Sequence, residues 1–144
     1  MRFVFLSSTF YQTYSDCHEI LLKDHRPYVL VLIVVNQITY AIPLRSNIRH
    51  EYAYFTDKAN HCGIDYSKAV VITDAITQLD DSRSPHIRQN EFDALRGKDY
   101  LIQKGMQKYV QVYKRALHDK QIQANQVLLE KSTLQYFHTE IGID

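Results

Sequence analysis

The fold of this chain depends on one stretch, YVLVLIVV-NQ-ITYAI, which spans residues 28–42. Its first eight residues are apolar and mostly β-branched, and they are too few for an average helix, so they predict a buried central strand. Asn36-Gln37 is typical of a turn, and Ile38–Ile42 then predicts the returning arm of a hairpin. Pro43 has no backbone N–H, so it should end that arm.

Shorter patterns extend this hairpin in both directions along the chain. Further strands are expected at Arg2–Leu6, His50–Phe55 and Lys68–Ile72, a short helix after the caps Ser7–Thr9 to about Cys17, and a polar loop at Asn60–Gly63. Helical patterns cover Glu91–Leu95, closed by Gly97, then Asp99–His118, and further segments beyond Val127. Strands followed by helices predict an α+β fold, with a compact antiparallel, barrel-like sheet, packed helices and a helical C-terminal third.

The composition is typical of one globular domain covering residues 1–144. A net charge of +1 excludes a chain-wide electrostatic attraction to nucleic acid, so a basic surface would have to be local. Cys17 and Cys62 are too few for a disulfide framework and have no zinc-ligand spacing, which indicates thiols in a reducing compartment. The longest apolar run has eight residues, far below the roughly 20 that span a bilayer. We therefore expect a cytoplasmic protein with neither a signal peptide nor a membrane partner.

Directly after the hairpin the chain becomes polar and basic, with Arg45, Ser46, Asn47, Arg49 and His50 close together. Guanidinium groups match phosphate oxygens with paired hydrogen bonds, and an imidazole can move a proton near neutral pH. These residue types predict a site that acts on a phosphodiester without a metal or another cofactor. The acidic residues show no cluster suited to a divalent metal.

Other residues are candidates for holding RNA, and each has a plainer alternative. Tyr11 and Tyr52 could stack on bases, or simply pack with their hydroxyls in water. Lys68 could add a cation, or protect a strand edge. Lys108 and Arg115 give the long helix a basic side, whose default interpretation is a solvated face. Taken singly, the residues of the polar turn also have plain interpretations, as a turn cap, solvated arginines and a surface histidine.

Five segments of the chain carry a family resemblance: IPLRSNIRH (42–50), YAYFT (52–56), GIDYSKAVVI (63–72), Phe3–Tyr11 and Ile87–Phe92. On these segments the chain resembles the endoribonuclease toxins of type III toxin–antitoxin systems, the ToxN/AbiQ superfamily, and especially its TenpN/CptN-like branch. The resemblance implies a strongly bent antiparallel sheet related to the MazF/Kid-like toxins. It also implies metal-independent RNA cleavage, and neutralisation by a small structured RNA made from tandem repeats.

The same resemblance implies roles for individual residues. Ser46 corresponds to the serine that is central to activity in the family, and Tyr11 to an active-site tyrosine. The better-known branch has threonine, serine and then lysine at the turn, whereas this chain has Arg45 before the serine and Arg49 further on. We expect the antitoxin RNA to bind the same surface as the RNA substrate, in a multi-subunit protein–RNA complex that serves phage defence by abortive infection.

The leading hypothesis is transesterification, in which the ribose 2′-OH attacks the adjacent phosphate and leaves 2′,3′-cyclic phosphate and 5′-OH ends. The expected catalytic residues are Arg45 and Arg49 as stabilisers of phosphoryl charge, Ser46 as a hydrogen-bonding group and His50 as the proton carrier. The expected RNA-binding residues are Tyr11, Asn47, Tyr52, Lys68, Lys108 and Arg115. A non-catalytic RNA-binding regulatory module is the alternative, and an acyl-transfer hydrolase using Ser46 and His50 is a third, weaker one.

Overall fold

A computed structural model describes residues 1–22 and 27–143 of the protein. The strands are β1 Arg2–Val4, β2 Leu30–Val35, β3 Ile38–Arg45, β4 Ala53–Asp57, β5 Cys62–Asp65 and β6 Val70–Ile72. The helices are α1 Ser8–Thr13, α2 Ala75–Gln78, α3 Gln89–Leu95, α4 Asp99–Leu117 and α5 Gln123–Lys131, with 3-10 turns at Tyr66–Lys68 and Thr133–Tyr136. The α+β class and the helical C-terminal third are confirmed.

The strands form one six-stranded antiparallel sheet in the order β1-β2-β3-β5-β4, with β6 also paired to β3. The predicted hairpin is confirmed, since Val35 pairs with Ile38 across the turn. Asn36 and Gln37 both have positive φ, 50° and 67°, the combination that matches a two-residue turn to the twist of its strands. The sheet is open, with β1 and β4 at its two ends.

Pro43 does not end the second arm, and that prediction is wrong. β3 continues through Pro43 to Arg45. The Leu44 amide donates to the Val29 carbonyl oxygen at 2.9 Å, so the backbone nitrogen of Pro43 faces the opposite edge of β3. On that edge the partner changes, because Ala41 pairs with Val70 of β6 whereas Leu44 pairs with Ile64 of β5. A donor is therefore not required at position 43.

Residues 62–72 run along one edge of β3 and leave it once. β5 begins at Cys62, inside the stretch expected to be a polar loop, and β6 begins at Val70, two residues later than expected. Between them the 3-10 turn Tyr66–Lys68 steps away from β3 opposite Pro43. β4 also begins late, at Ala53 and not at His50. This detour places polar side chains beside the end of β3.

α4 packs on the sheet, and two of the six apolar residues whose spacing predicts this helix, Val110 and Leu117, are only half-buried. α4 buries Ile102, Met106, Tyr109, Tyr113 and Ala116, and Gly97 precedes it with a φ of 71°. Fully burying a large apolar side chain is worth about 1.5–3 kcal/mol, so packing contributes more to α4 than helix propensity does. α1 ends at Thr13, earlier than the expected Cys17. Within residues 1–22 and 27–143, no helix is both long and apolar enough to cross a membrane.

Candidate functional site

The polar turn after β3 is held by one buried residue between exposed ones. Ser46 and Asn47 are exposed, whereas Ile48 is 1% exposed and its amide donates to the His61 carbonyl oxygen at 3.0 Å. Asn47 adopts a φ of 59°, a left-handed conformation that Asn tolerates better than most residues. The Arg49 Nε donates to the Asn47 side-chain oxygen at 2.8 Å, so Arg49 folds back over the turn.

A buried carboxylate, Asp65, organises the side chains around the turn. It is 0% exposed and lies at the end of β5, where it caps the 3-10 turn. Arg45 Nη1 lies 2.6 Å from its Oδ2, and His50 Nε2 lies 3.2 Å from its Oδ1. The Ser67 hydroxyl and amide donate to Oδ1 at 2.6 and 2.9 Å. Burial alone would raise the pKa of Asp65, but the hydrogen bonds from His50, Ser67 and Arg45 outweigh it and lower that pKa below its ordinary value.

His50 has both ring nitrogens in use. Its Nδ1 accepts the Tyr52 amide at 3.0 Å, so in the neutral ring the proton sits on Nε2 and points to Asp65. The rings of His50 and Tyr52 lie 5.7 Å apart, and the Tyr52 ring lies 5.5 Å from that of Tyr109. The network thus fixes the orientation of the imidazole. Its predicted role as proton carrier stays a prediction.

This cluster does not have the connectivity of a serine hydrolase. In a Ser-His-Asp triad the serine and the carboxylate contact opposite nitrogens of the imidazole. Here Ser67 Oγ, at 3.2 Å, and Asp65 both face His50 Nε2, and the Ser67 hydroxyl donates to Asp65 directly. Within the described part of the chain, Ser46 makes no hydrogen bond to His50. The acyl-transfer hypothesis therefore gains no support from this geometry.

An open pocket of about 270 Å³ lies where the end of β3 faces the segment that leads into α3. The end of β3 and the turn after it contribute Arg45 and Ser46, and the segment before α3 contributes His86 and Arg88. Its remaining lining residues are Pro27, Tyr28, Val29, Leu44, Cys62, Ile87 and Glu91. Arg45 uses only Nη1 on Asp65 among the described residues, so its remaining donors are available to a ligand. Two arginines, Arg45 and Arg88, therefore line this pocket.

The other predicted RNA-binding residues lie outside this pocket. Tyr11 is half-buried beside a separate small cavity shared with Lys68 and Tyr28, and burial together with Tyr28 raises the pKa of Tyr11 to about 12. Lys68 Nζ contacts Glu19 Oε1 at 2.7 Å and the Lys131 carbonyl oxygen at 2.8 Å, so it ties three segments together. Lys108 and Arg115 are exposed on α4.

The structure therefore brings together some of the predicted site residues and separates others. Arg45 and Ser46 share the pocket, and Arg45 and His50 share Asp65. The turn residues that do not line the pocket are Asn47, Arg49 and His50, and Tyr52 does not line it either.

Four residues of the site were not singled out from the sequence: Asp65, Ser67, His86 and Arg88. The first two lie inside the segment 63–72, and Arg88 inside Ile87–Phe92, which carried the resemblance. Those segments were the available signal, although nothing in them distinguished a buried carboxylate from an exposed one. His86 follows the polar stretch Asp80–Pro85 and had no such signal.

Comparisons of the chain with protein-family models, with curated proteins and with solved structures found no match. Among residues 1–22 and 27–143, no group of three His, Cys, Asp or Glu side chains is placed to hold a metal ion.

Proposed function

We propose that the protein is a metal-independent endoribonuclease toxin of a type III toxin–antitoxin system. The observation that carries this proposal is that Arg45 and Ser46 line one pocket together with His86 and Arg88. Two guanidinium groups, a hydroxyl and an imidazole can supply the charge stabilisation and the proton transfer that phosphodiester transesterification uses.

In the proposed reaction the ribose 2′-OH attacks the adjacent phosphorus, giving 2′,3′-cyclic phosphate and 5′-OH ends. Arg45 and Arg88 stabilise the charge on the phosphoryl oxygens, where one well-placed donor is worth roughly 3–4 kcal/mol. Ser46 donates a hydrogen bond to the same phosphate. Asp65 holds the Arg45 guanidinium at the pocket, because their contact of 2.6 Å restricts a flexible side chain.

The proposal extends to partners and setting. A repeat-derived structured RNA antitoxin would occupy the same arginines and so block the pocket, in a multi-subunit protein–RNA complex of the cytoplasm. Arg49 and Lys108 would then be contacts for the RNA outside the cleavage site. The open antiparallel sheet would be a relative of the MazF/Kid-like toxin fold.

The test is cleavage of RNA by purified protein in the presence of a metal chelator, with the products analysed for cyclic phosphate ends. Ser46→Ala should lower the cleavage rate about 10²–10³-fold, as removal of one donor to a developing oxyanion does. Ser15→Ala is the matched control, because Ser15 is exposed, follows the end of α1 and lines no part of this pocket. Circular dichroism of each variant checks that the fold is retained.

Each outcome decides between the hypotheses. Discrete fragments with cyclic phosphate ends, lost in Ser46→Ala and kept in Ser15→Ala, support the nuclease. Tight RNA binding without any fragments supports the alternative, a non-catalytic RNA-binding module. Cleavage that stops when the chelator is added would contradict the metal-independent mechanism.

A further inference from the structure

The histidine that lines the pocket is His86, and its imidazole is free to act. It is exposed at the pocket wall, in the segment just before α3. Within residues 1–22 and 27–143, neither of its ring nitrogens has a hydrogen-bond partner. A neutral imidazole with an unoccupied nitrogen can accept a proton from a bound hydroxyl.

His50 is in the opposite situation. Its Nδ1 is occupied by the Tyr52 amide and its Nε2 faces Asp65, so each nitrogen would have to give up a partner before it could take a substrate proton. It also does not line the pocket in which Arg45 and Ser46 lie. The geometry makes His50 a positioning residue that holds Asp65, and through it Arg45.

The guanidinium groups that line the pocket together with His86 favour a substrate with a negative charge. Arg45 and Cys62 come from the two sheet strands at the pocket, and Arg88 and Glu91 from the start of α3. Tyr28 and Ser46 also line the pocket. The Glu91 carboxylate is already engaged by the Arg88 amide at 3.3 Å and by Arg88 Nε at 3.8 Å. A phosphate held by the arginines would bring its ribose to the imidazole.

We infer that His86, and not His50, is the catalytic residue that takes the proton from the attacking 2′-OH. This inference rests on the proposed function. In the step, the 2′-oxygen forms a bond to phosphorus while its proton moves to a nitrogen of His86. The bond between phosphorus and the 5′-oxygen breaks, and the 5′-oxygen takes a proton from water. His86 returns its proton to solvent.

The test compares His86→Ala, His50→Ala and the control His118→Ala, with and without added imidazole. His118 is an exposed histidine at the end of α4, outside the pocket. His86→Ala should lower the turnover rate about 10²–10⁴-fold with little change in KM, and free imidazole should restore part of it. His50→Ala should not respond to imidazole. The Ser46→Ala variant with imidazole measures the background that imidazole itself causes.

The outcomes separate this inference from the proposed function. A wild-type protein that does not cut RNA overturns both. Wild-type cleavage with an unaffected His86→Ala overturns the inference alone, and so does a loss that no imidazole concentration restores. Rescue of His50→Ala in place of His86→Ala would return the proton-transfer role to His50. Rescue specific to His86→Ala supports the inference, because a structural defect would not respond to imidazole.

Discussion

At the scale of single residues, Asp65 shows how a charge can be kept in the interior. It is fully buried, yet three different side chains and one amide contact its two oxygens. Charge removed from water is costly unless it is paired and hydrogen-bonded, and here both conditions are met. Loss of the carboxylate is therefore costly, because it leaves the Arg45 side chain, which is only 24% exposed, without its partner.

Asp65→Asn should therefore destabilise the protein by about 3 kcal/mol, as breaking a buried ion pair does. The measurement is the free energy of unfolding from urea titration at neutral pH. Asp81→Asn is the matched control, because Asp81 pairs with Arg2 at 2.8 Å on the surface, where such pairs contribute at most about 1 kcal/mol. Equal effects of the two substitutions would show that Asp65 contributes no more than a surface charge.

The wild type and Asp65→Asn should also differ in how their stability depends on pH in acid. The pKa of Asp65 lies below its ordinary value in the folded state, so its ionised form contributes stability above the ordinary carboxyl range, near pH 4. That contribution is lost as the pH falls through the folded-state pKa. The wild type should thus lose more stability below about pH 4 than Asp65→Asn, which has no carboxylate to protonate. Parallel stability curves in that range would contradict this assignment.

At the scale of elements, α4 is joined to the site by a contact that only glycine allows. A Cβ built at Gly105 lies 2.7 Å from Cζ of Tyr66, whose hydroxyl donates to the Ile102 carbonyl oxygen at 3.1 Å. Tyr66 follows Asp65 directly and belongs to the 3-10 turn that steps away from β3. The close approach of α4 to the 3-10 turn therefore helps to hold Asp65 and its hydrogen-bond partners in place.

Gly105→Ala should destabilise the protein by about 1–3 kcal/mol, because the added methyl group forces the Tyr66 ring to move. In an ordinary helix interior the same substitution would stabilise by about 1 kcal/mol, so the sign of the change is the test. Thermal and urea unfolding measure it. Gln111→Ala, at an exposed position of α4, should change stability by less than about 0.5 kcal/mol. A Gly105→Ala variant more stable than the wild type would contradict the contact.

Sequence patterns predicted those elements whose signal lies within the element itself. The hairpin could be predicted because apolar β-branched runs flank Asn36-Gln37, and α4 because its apolar residues recur at helical spacing. The prediction for Pro43 was wrong because β3 can contain a proline only where its partner changes along one edge. That change of partner belongs to the tertiary structure and cannot be read from the local sequence. β5 was missed because Cys62–Asp65 is short and follows polar residues.

At the scale of the whole molecule, the site is assembled from parts that are far apart in the chain. Arg45 and Asp65 are 20 positions apart, and His86 comes from yet another segment. The sequence could show the dense polar turn, and Arg45 and Ser46 do line the pocket. It could not show that Arg49, only four residues from Arg45, bonds to Asn47 instead. Closeness in sequence therefore does not predict which of these side chains share a pocket, because neighbouring side chains point in different directions.

The two walls of the pocket should differ in amide hydrogen exchange. β3 is bonded along both edges, and the Leu44 amide is paired with the Val29 carbonyl oxygen. In the described part of the chain, the amides of Ser84, His86 and Ile87 have no acceptor. Exchange should therefore be slow at Leu44 and fast over residues 84–87. A 2′-deoxy oligonucleotide, which cannot be cut, should slow exchange on the second wall and leave the first unchanged. If the oligonucleotide changed exchange equally on both walls, the result would mean that ligands do not enter between them. Amide exchange over residues 84–87 would thus report that the pocket is occupied, and exchange in β3 would serve as the internal reference.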